Sequence, residues 1–194
     1  MDLIAARQYI LERLKSELSP NLCFHSYEHT LDVCNAAHRL IGLEKLSGDC
    51  ALVIEAACLY HDSGMITQYS HHEEVSVSIA REALPRFGFT PDIIDKIAAA
   101  IMATRLPQGA SNICEQVVCD ADLDSLGRDD FFVNSFKLRT EWEKFMIQKV
   151  SLKEWLLFEM DFLENHTYFT KSAIDLRQQG KEKHLAEIRE MLHL

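Results

Sequence analysis

Residues 49–62, Asp-Cys-Ala-Leu-Val-Ile-Glu-Ala-Ala-Cys-Leu-Tyr-His-Asp, constrain the fold of this chain more than any other stretch. Wound as a helix, they place Leu52, Val53, Ile54, Ala56, Ala57 and Leu59 on nearly every side. A helix that is apolar all round is buried by other elements, so this one predicts a central position. Ser63-Gly64 marks its stop.

The remaining periodicity supplies elements to wrap it, and all of them are helical. Residues 2–18 carry Ile4, Ile10, Leu14 and Leu18, with Pro20 as the stop. A second helix covers 27–45, its apolar stripe running Val33, Ala36, Ala37, Leu40, with Gly42 and Gly48 bracketing a frayed end. A fourth spans 72–87 and closes at Gly88, and Thr90-Pro91 opens a fifth that reaches 104. After a loop at 107–111 comes a helix over 112–126. Ser151-Leu152-Lys153-Glu154 has the form of a capping box ahead of Trp155 and Leu156. The last two helices, 168–178 and 181–193, are strongly charged and read as peripheral. No segment alternates with period two, so the expected class is all-α. With 194 residues, 47% of them hydrophobic, one domain over 1–194 is expected.

Charge and cysteine usage narrow the functions. A formal net charge of −10 repels a phosphate backbone and disfavours duplex nucleic acid as a partner. An acidic chain that handles phosphate esters therefore needs a metal or local cations at the site. The six cysteines have no CxxC spacing and several lie in apolar helical surroundings, which suits free thiols in a reducing cytoplasm. The N-terminus lacks a leader layout, and the apolar run Ala51–Tyr60, interrupted by Glu55, falls short of the roughly 20 residues a bilayer span needs. A soluble, cytoplasmic protein without membrane contact is expected.

Three polar clusters interrupt the apolar pattern. The central helix ends in His61-Asp62, and a carboxylate there must meet a cation, a donor or water. Taken alone, the pair reads somewhat more readily as a helix end where Asp62 is solvated and His61 caps carbonyls. His29 lies on the second helix near the inner stripe, where a lone histidine is more often a hydrogen-bonded core residue. In Cys119-Asp120-Ala121-Asp122-Leu123-Asp124, three carboxylates follow an apolar run. Alternate residues on a helix point about 200° apart, so Asp120 and Asp122 cannot both face one site. Together the three clusters offer two imidazoles and two carboxylates, a set that suits a divalent metal with open positions for water and substrate.

The order of these residues resembles the HD superfamily of metal-dependent phosphohydrolases. The match is His29 within His-Ser-Tyr-Glu-His-Thr-Leu-Asp-Val, the doublet in Leu-Tyr-His-Asp-Ser-Gly, and Asp122 within Cys-Asp-Ala-Asp-Leu-Asp-Ser-Leu-Gly. The tail, with Leu138-Arg139-Thr140-Glu141-Trp142 and Asn165-His166-Thr167-Tyr168-Phe169, looks like that of small stand-alone bacterial members. The resemblance implies an HD-domain helical bundle with a metal-binding core over about 20–130 and C-terminal helices packed on it. It implies His29, His61, Asp62 and Asp122 as metal ligands, with Asp120 in reserve, and a divalent ion drawn from Mn, Mg, Fe, Co, Ni or Zn. His71-His72-Glu73 is similar to the segment that supplies a second-metal histidine in two-metal relatives, with His72 as candidate. Ala103-Thr104 stands where a further histidine would be needed, which favours one metal.

The activity implied is hydrolysis of a phosphate mono- or diester, a nucleotide or cyclic nucleotide among them. Asp62, His25, His72 and Glu73 are the candidate catalytic groups, and His71 and Arg105 the candidate substrate contacts. The competing readings are a di-iron HD-type oxygenase and a non-catalytic nucleotide- or partner-binding module. Apolar residues in the C-terminal half would serve a homodimer or the core equally.

Overall fold

The computed structural model describes residues 1–145 and 149–194, and among these it contains nine α-helices and no strand. The central helix is α3, Gly48–Tyr60, in which Ile54, Ala56, Ala57, Cys58 and Tyr60 are fully buried. Around it pack α1 (Leu3–Glu17), α2 (Tyr27–Leu43), α5 (Pro91–Ala103) and α6 (Ile113–Asp122). Each covers a different side, which is why α3 needs no polar face.

Local chemistry explains most of the boundaries. Asp2 caps α1 by accepting from the Ala5 amide at 3.0 Å, and the buried stripe is Ala6, Ile10 and Leu14. Ile4 points outward instead, because it lies off the i, i+4, i+8 row. Ser26 caps α2 and Asn112 caps α6, and Ser151 with Glu154 forms the expected capping box at the start of α8 (Leu152–Asn165). The helix expected over 72–87 ends earlier: α4 is His72–Ala83, and a 3₁₀ turn, Leu84–Phe87, follows up to Gly88 at φ +75°. The helix expected over 112–126 likewise stops at Asp122 and passes into a 3₁₀ turn, Asp124–Gly127.

The C-terminal third departs most from expectation. After α7 (Phe131–Phe145) and α8, residues 171–192 form one continuous helix, α9 (Lys171–Leu192), with Gly180 inside it. The expected break at Gly180 is absent because the glycine serves packing. A Cβ built there would stand 2.1 Å from the Gly127 carbonyl oxygen. The helix crosses the 124–127 turn at backbone distance, and only glycine permits that. Nor is α9 merely peripheral: it buries Ala173, Lys181, His184 and Ile188. Arg177 clamps Asp124 with two hydrogen bonds, 2.7 and 3.0 Å, and Arg128 reaches the same carboxylate at 3.3 Å.

Cys50 and Cys114 are joined by a disulfide that ties the first turn of α3 to the first turn of α6. That corrects the expectation of six free thiols; Cys23, Cys34, Cys58 and Cys119 remain free. The 64-residue separation leaves no local spacing by which the pair could have been recognised. Among the described residues, no helix is long and apolar enough to cross a membrane.

Candidate metal centre

Four side chains from three helices converge beside the C-terminal end of α3. His29 comes from the first turn of α2, His61 and Asp62 from the residues that follow α3, and Asp122 from the last turn of α6. Nε2 of His61 lies 3.1 Å from Asp62 Oδ2 and 3.4 Å from Asp122 Oδ1. Nε2 of His29 lies 3.5 and 3.3 Å from the same two oxygens. One ligand atom each from His29, His61 and Asp122 falls within 4.8 Å of the others.

The local fold aims these atoms. His61 Nδ1 sits 2.8 Å from the Cys58 carbonyl oxygen, to which it donates, so Nδ1 carries a proton and Nε2 is the ring atom turned toward the cluster. Gly64 closes the chain against α4: its amide donates to Ser76 Oγ at 2.8 Å, and a Cβ there would lie 2.0 Å from the His72 carbonyl oxygen. That approach brings His72 to Asp62, with Nε2 3.1 Å from Oδ1. The two oxygens of Asp62 thus face different imidazoles, Oδ2 toward His29 and His61, Oδ1 toward His72.

Burial works against ionisation of Asp62, yet His61, with His72, holds its carboxyl well below the usual carboxylate range. Asp122 is held low in the same way, burial opposing and His29 and His61 prevailing. Two ionised carboxylates closing on two imidazoles select positive charge, as protons on the rings or as a cation between them. The donor set fits a cation. His29 Nε2, His61 Nε2 and Asp62 Oδ2 are buried and have no hydrogen-bond partner, a state that natural interiors rarely leave uncompensated.

Asp120 faces away from this cluster. Its oxygens accept from the amides of Phe169 and Thr170, both at 2.8 Å, at the entry to α9. Asp122 is therefore the α6 carboxylate that the structure brings to the site. His25, in the loop before α2, is held through its ring by Glu141 of α7, whose other oxygen accepts from the Phe24 and His25 amides at 2.9 and 3.1 Å. The His25 ring centroid is 5.7 Å from that of His72. Glu73 lies 3.8 Å from His72 Nε2. His71 and Arg105 are not brought in: Arg105 donates to Glu74 at 2.9 Å and meets His71 Nδ1 at 2.9 Å, away from the residues that line the site.

Two recesses flank the cluster. A cavity of about 240 Å³ reaches from His25, Asp62, His72 and Asp122 to the apolar faces of α7 and α8. A polar recess of about 200 Å³ is bounded by His29, Asp122, Arg128 and Lys137. Arg128 and Lys137 escaped the sequence reading, and Glu141 entered it only within the tail segment Leu138-Arg139-Thr140-Glu141-Trp142, with no role at the site.

The family model described as "HD domain" matches residues 26–126, which contain His29, His61, Asp62 and Asp122. Among solved structures, the chain is similar to Bacillus subtilis YpgQ, a structure described in complex with ADP. The two share 19% identity and a TM-score of 0.67, with 95% of each chain covered. No curated protein matches by sequence.

Proposed function

The chain belongs to the HD domain family, and from that premise we propose that it is a metal-dependent phosphohydrolase acting on a small phosphate ester. The observation that carries this reading is the set of three buried, unpartnered ligand atoms on His29, His61 and Asp62, with Asp122 beside them. These four residues would hold one divalent ion. Bound there, such an ion supplies Lewis acidity toward a phosphoryl oxygen and lowers the pKa of a water.

The chain's own groups do the rest. Asp62 turns one oxygen toward the His29 and His61 pair and the other toward His72, so it couples the ligand set to a proton carrier. His72 is oriented by donating from Nδ1 to the Tyr69 carbonyl at 3.0 Å, which leaves Nε2 to exchange a proton at the site. Glu73 supports it, and His25, braced by Glu141, contributes a second imidazole to the cavity lining. Of the two cations that border the cluster on its polar side, Arg128 is held by Asp32, Asp124 and Asp130, so the cationic role that Arg105 was expected to play passes to Lys137. Because Bacillus subtilis YpgQ is described in complex with ADP, nucleotides are the esters to try first.

Elemental analysis of the purified protein tests the reading, beside His61→Ala, Asp122→Ala and Asp120→Asn. About one equivalent of metal is expected, lost in the first two variants and kept in the third, together with metal-dependent phosphate release. About two equivalents of iron with oxygen uptake would replace this reading by the oxygenase one. No metal after loading with manganese or magnesium would leave a binding module.

A further inference from the structure

The 240 Å³ cavity beside the cluster is far more apolar than hydrolysis of a phosphate requires. Its walls include Phe24, Leu138, Trp142, Phe158 and Phe162, and among the described residues no lysine or arginine lines it. Both nearby cations, Arg128 and Lys137, border the polar recess instead. The aromatic wall therefore suits a neutral, apolar part of a substrate and not its phosphoryl group.

One polar group is built into the apolar wall. Glu159, 4% exposed, lines the cavity, and its Oε1 accepts from Ser135 Oγ at 2.6 Å. Ser135 Oγ in turn accepts from Trp155 Nε1 at 2.8 Å. That relay uses the only proton of the serine and the only N–H of the indole, and it leaves the second oxygen of Glu159 for a ligand. Burial pushes the Glu159 carboxyl up to about 7, so near neutrality it offers an O–H as well as a lone pair. A neutral carboxyl on an aromatic wall reads the edge of a flat, uncharged ring. A sugar or other polyol would set several hydroxyls against apolar surface with no partner to replace water.

We infer that the alcohol side of the substrate is a flat, uncharged ring system, seated in this cavity with Trp142 and Leu138 as walls and Glu159 as the specificity-determining polar contact. This rests on the phosphohydrolase reading for what is attached to the ring, but not for the ring site itself. The volume lies just below the roughly 300–1,000 Å³ common for small-molecule sites, enough for one ring system.

The test has a kinetic and a binding arm. With the metal-loaded protein, kcat/KM for 2-(1-naphthyl)ethyl phosphate, an alkyl ester like the controls, is expected to exceed that for methyl phosphate and for glycerol 2-phosphate by at least about tenfold. In Leu138→Phe, which fills the cavity, the ratio should fall toward one. Should that variant not fold, Trp142→Ala must lower the same ratio by removing a wall. Calorimetry with 1-naphthol and with 9-methyladenine reads the ring site without catalysis: one or both should bind the wild type and bind Leu138→Phe at least about tenfold more weakly. Tighter 9-methyladenine than naphthol assigns the ring to a nucleobase; the reverse assigns it to another aryl group. If neither binds, or if equal ratios appear in wild type and variant, the inference is overturned. If both bind while no ester is hydrolysed, the ring site stands and the phosphohydrolase reading falls.

Discussion

Replacing Gly180 by alanine sets two physical effects against each other with opposite signs. In a helix interior, alanine is favoured over glycine by about 1 kcal/mol. At Gly180 the new Cβ would stand 2.1 Å from the Gly127 carbonyl oxygen and 2.8 Å from its carbon. Ordinary carbon–oxygen contacts begin at about 3.3 Å, so α9 or the 124–127 turn has to move by about 1 Å. Neither yields readily, since Arg177 binds Asp124 on one side and His184 Nε2 meets the Arg128 carbonyl at 2.8 Å on the other. Overpacking of this kind costs about 1–3 kcal/mol, and backbone against backbone belongs at the upper end. The expected net effect is a loss of about 2 kcal/mol, or a fall in Tm of about 4–8 °C for a chain of this length. Gly42 provides the matched control. It lies within α2, and a Cβ there meets nothing within 4 Å. Gly42→Ala should stabilise by about 0.5–1 kcal/mol. Thermal and urea unfolding of the two variants decide the matter. A Gly180→Ala protein as stable as the wild type, or more so, would refute the close crossing of α9 over the turn.

Other outcomes follow from the buried acid and the thiols. The folded-state pKa of Glu159, about 7, lies above its ordinary 4.5, so its contribution is fully present below pH 4.5 and is lost as pH rises through 7. The loss amounts to roughly 3 kcal/mol at 1.36 kcal/mol per unit. Urea midpoints at about pH 5 and about pH 8.5 should show it, and Glu159→Gln should reduce the difference, histidines such as His72 supplying the remainder; equal pH dependence in both proteins would sink the argument. For the cysteines, thiol titration of the unfolded, unreduced chain should find four groups, and six after reduction. Closing a 64-residue loop is worth on the order of 4 kcal/mol in the chain-entropy account, so reduction should lower Tm. Six thiols before reduction would show that Cys50 and Cys114 do not pair.

What could be read from sequence was the polar residue in apolar surroundings. His61-Asp62 closes an apolar helix, and Asp122 follows Val117-Val118, so each advertised itself against its neighbours. Helical geometry also required Asp120 and Asp122 to diverge, which they do, although which one turns inward depends on where α9 begins. Glu141 and Glu159 were harder. Each is one of several acids on an amphipathic helix, and such acids are ordinarily solvated; only the docking of α7 and α8 buries these two. Gly180 misled for a similar reason: in one dimension a helix break and a close crossing use the same residue. The Cys50–Cys114 pair left no trace, because contact across 64 residues is a property of the finished bundle.

The alternation of Asp120, Asp122 and Asp124 has a thermodynamic consequence. Asp120 holds the amides that open α9, Asp124 holds Arg177 within it, and Asp122 between them faces the candidate metal. Docking of the C-terminal helix and binding of an ion therefore order the same five residues. Such coupling is reciprocal: whatever affinity the docked helix lends the ion, the ion returns as resistance of the helix to detachment. The C-terminal third is in that sense a ligand of the metal site, and the chelated protein should fray first at α9.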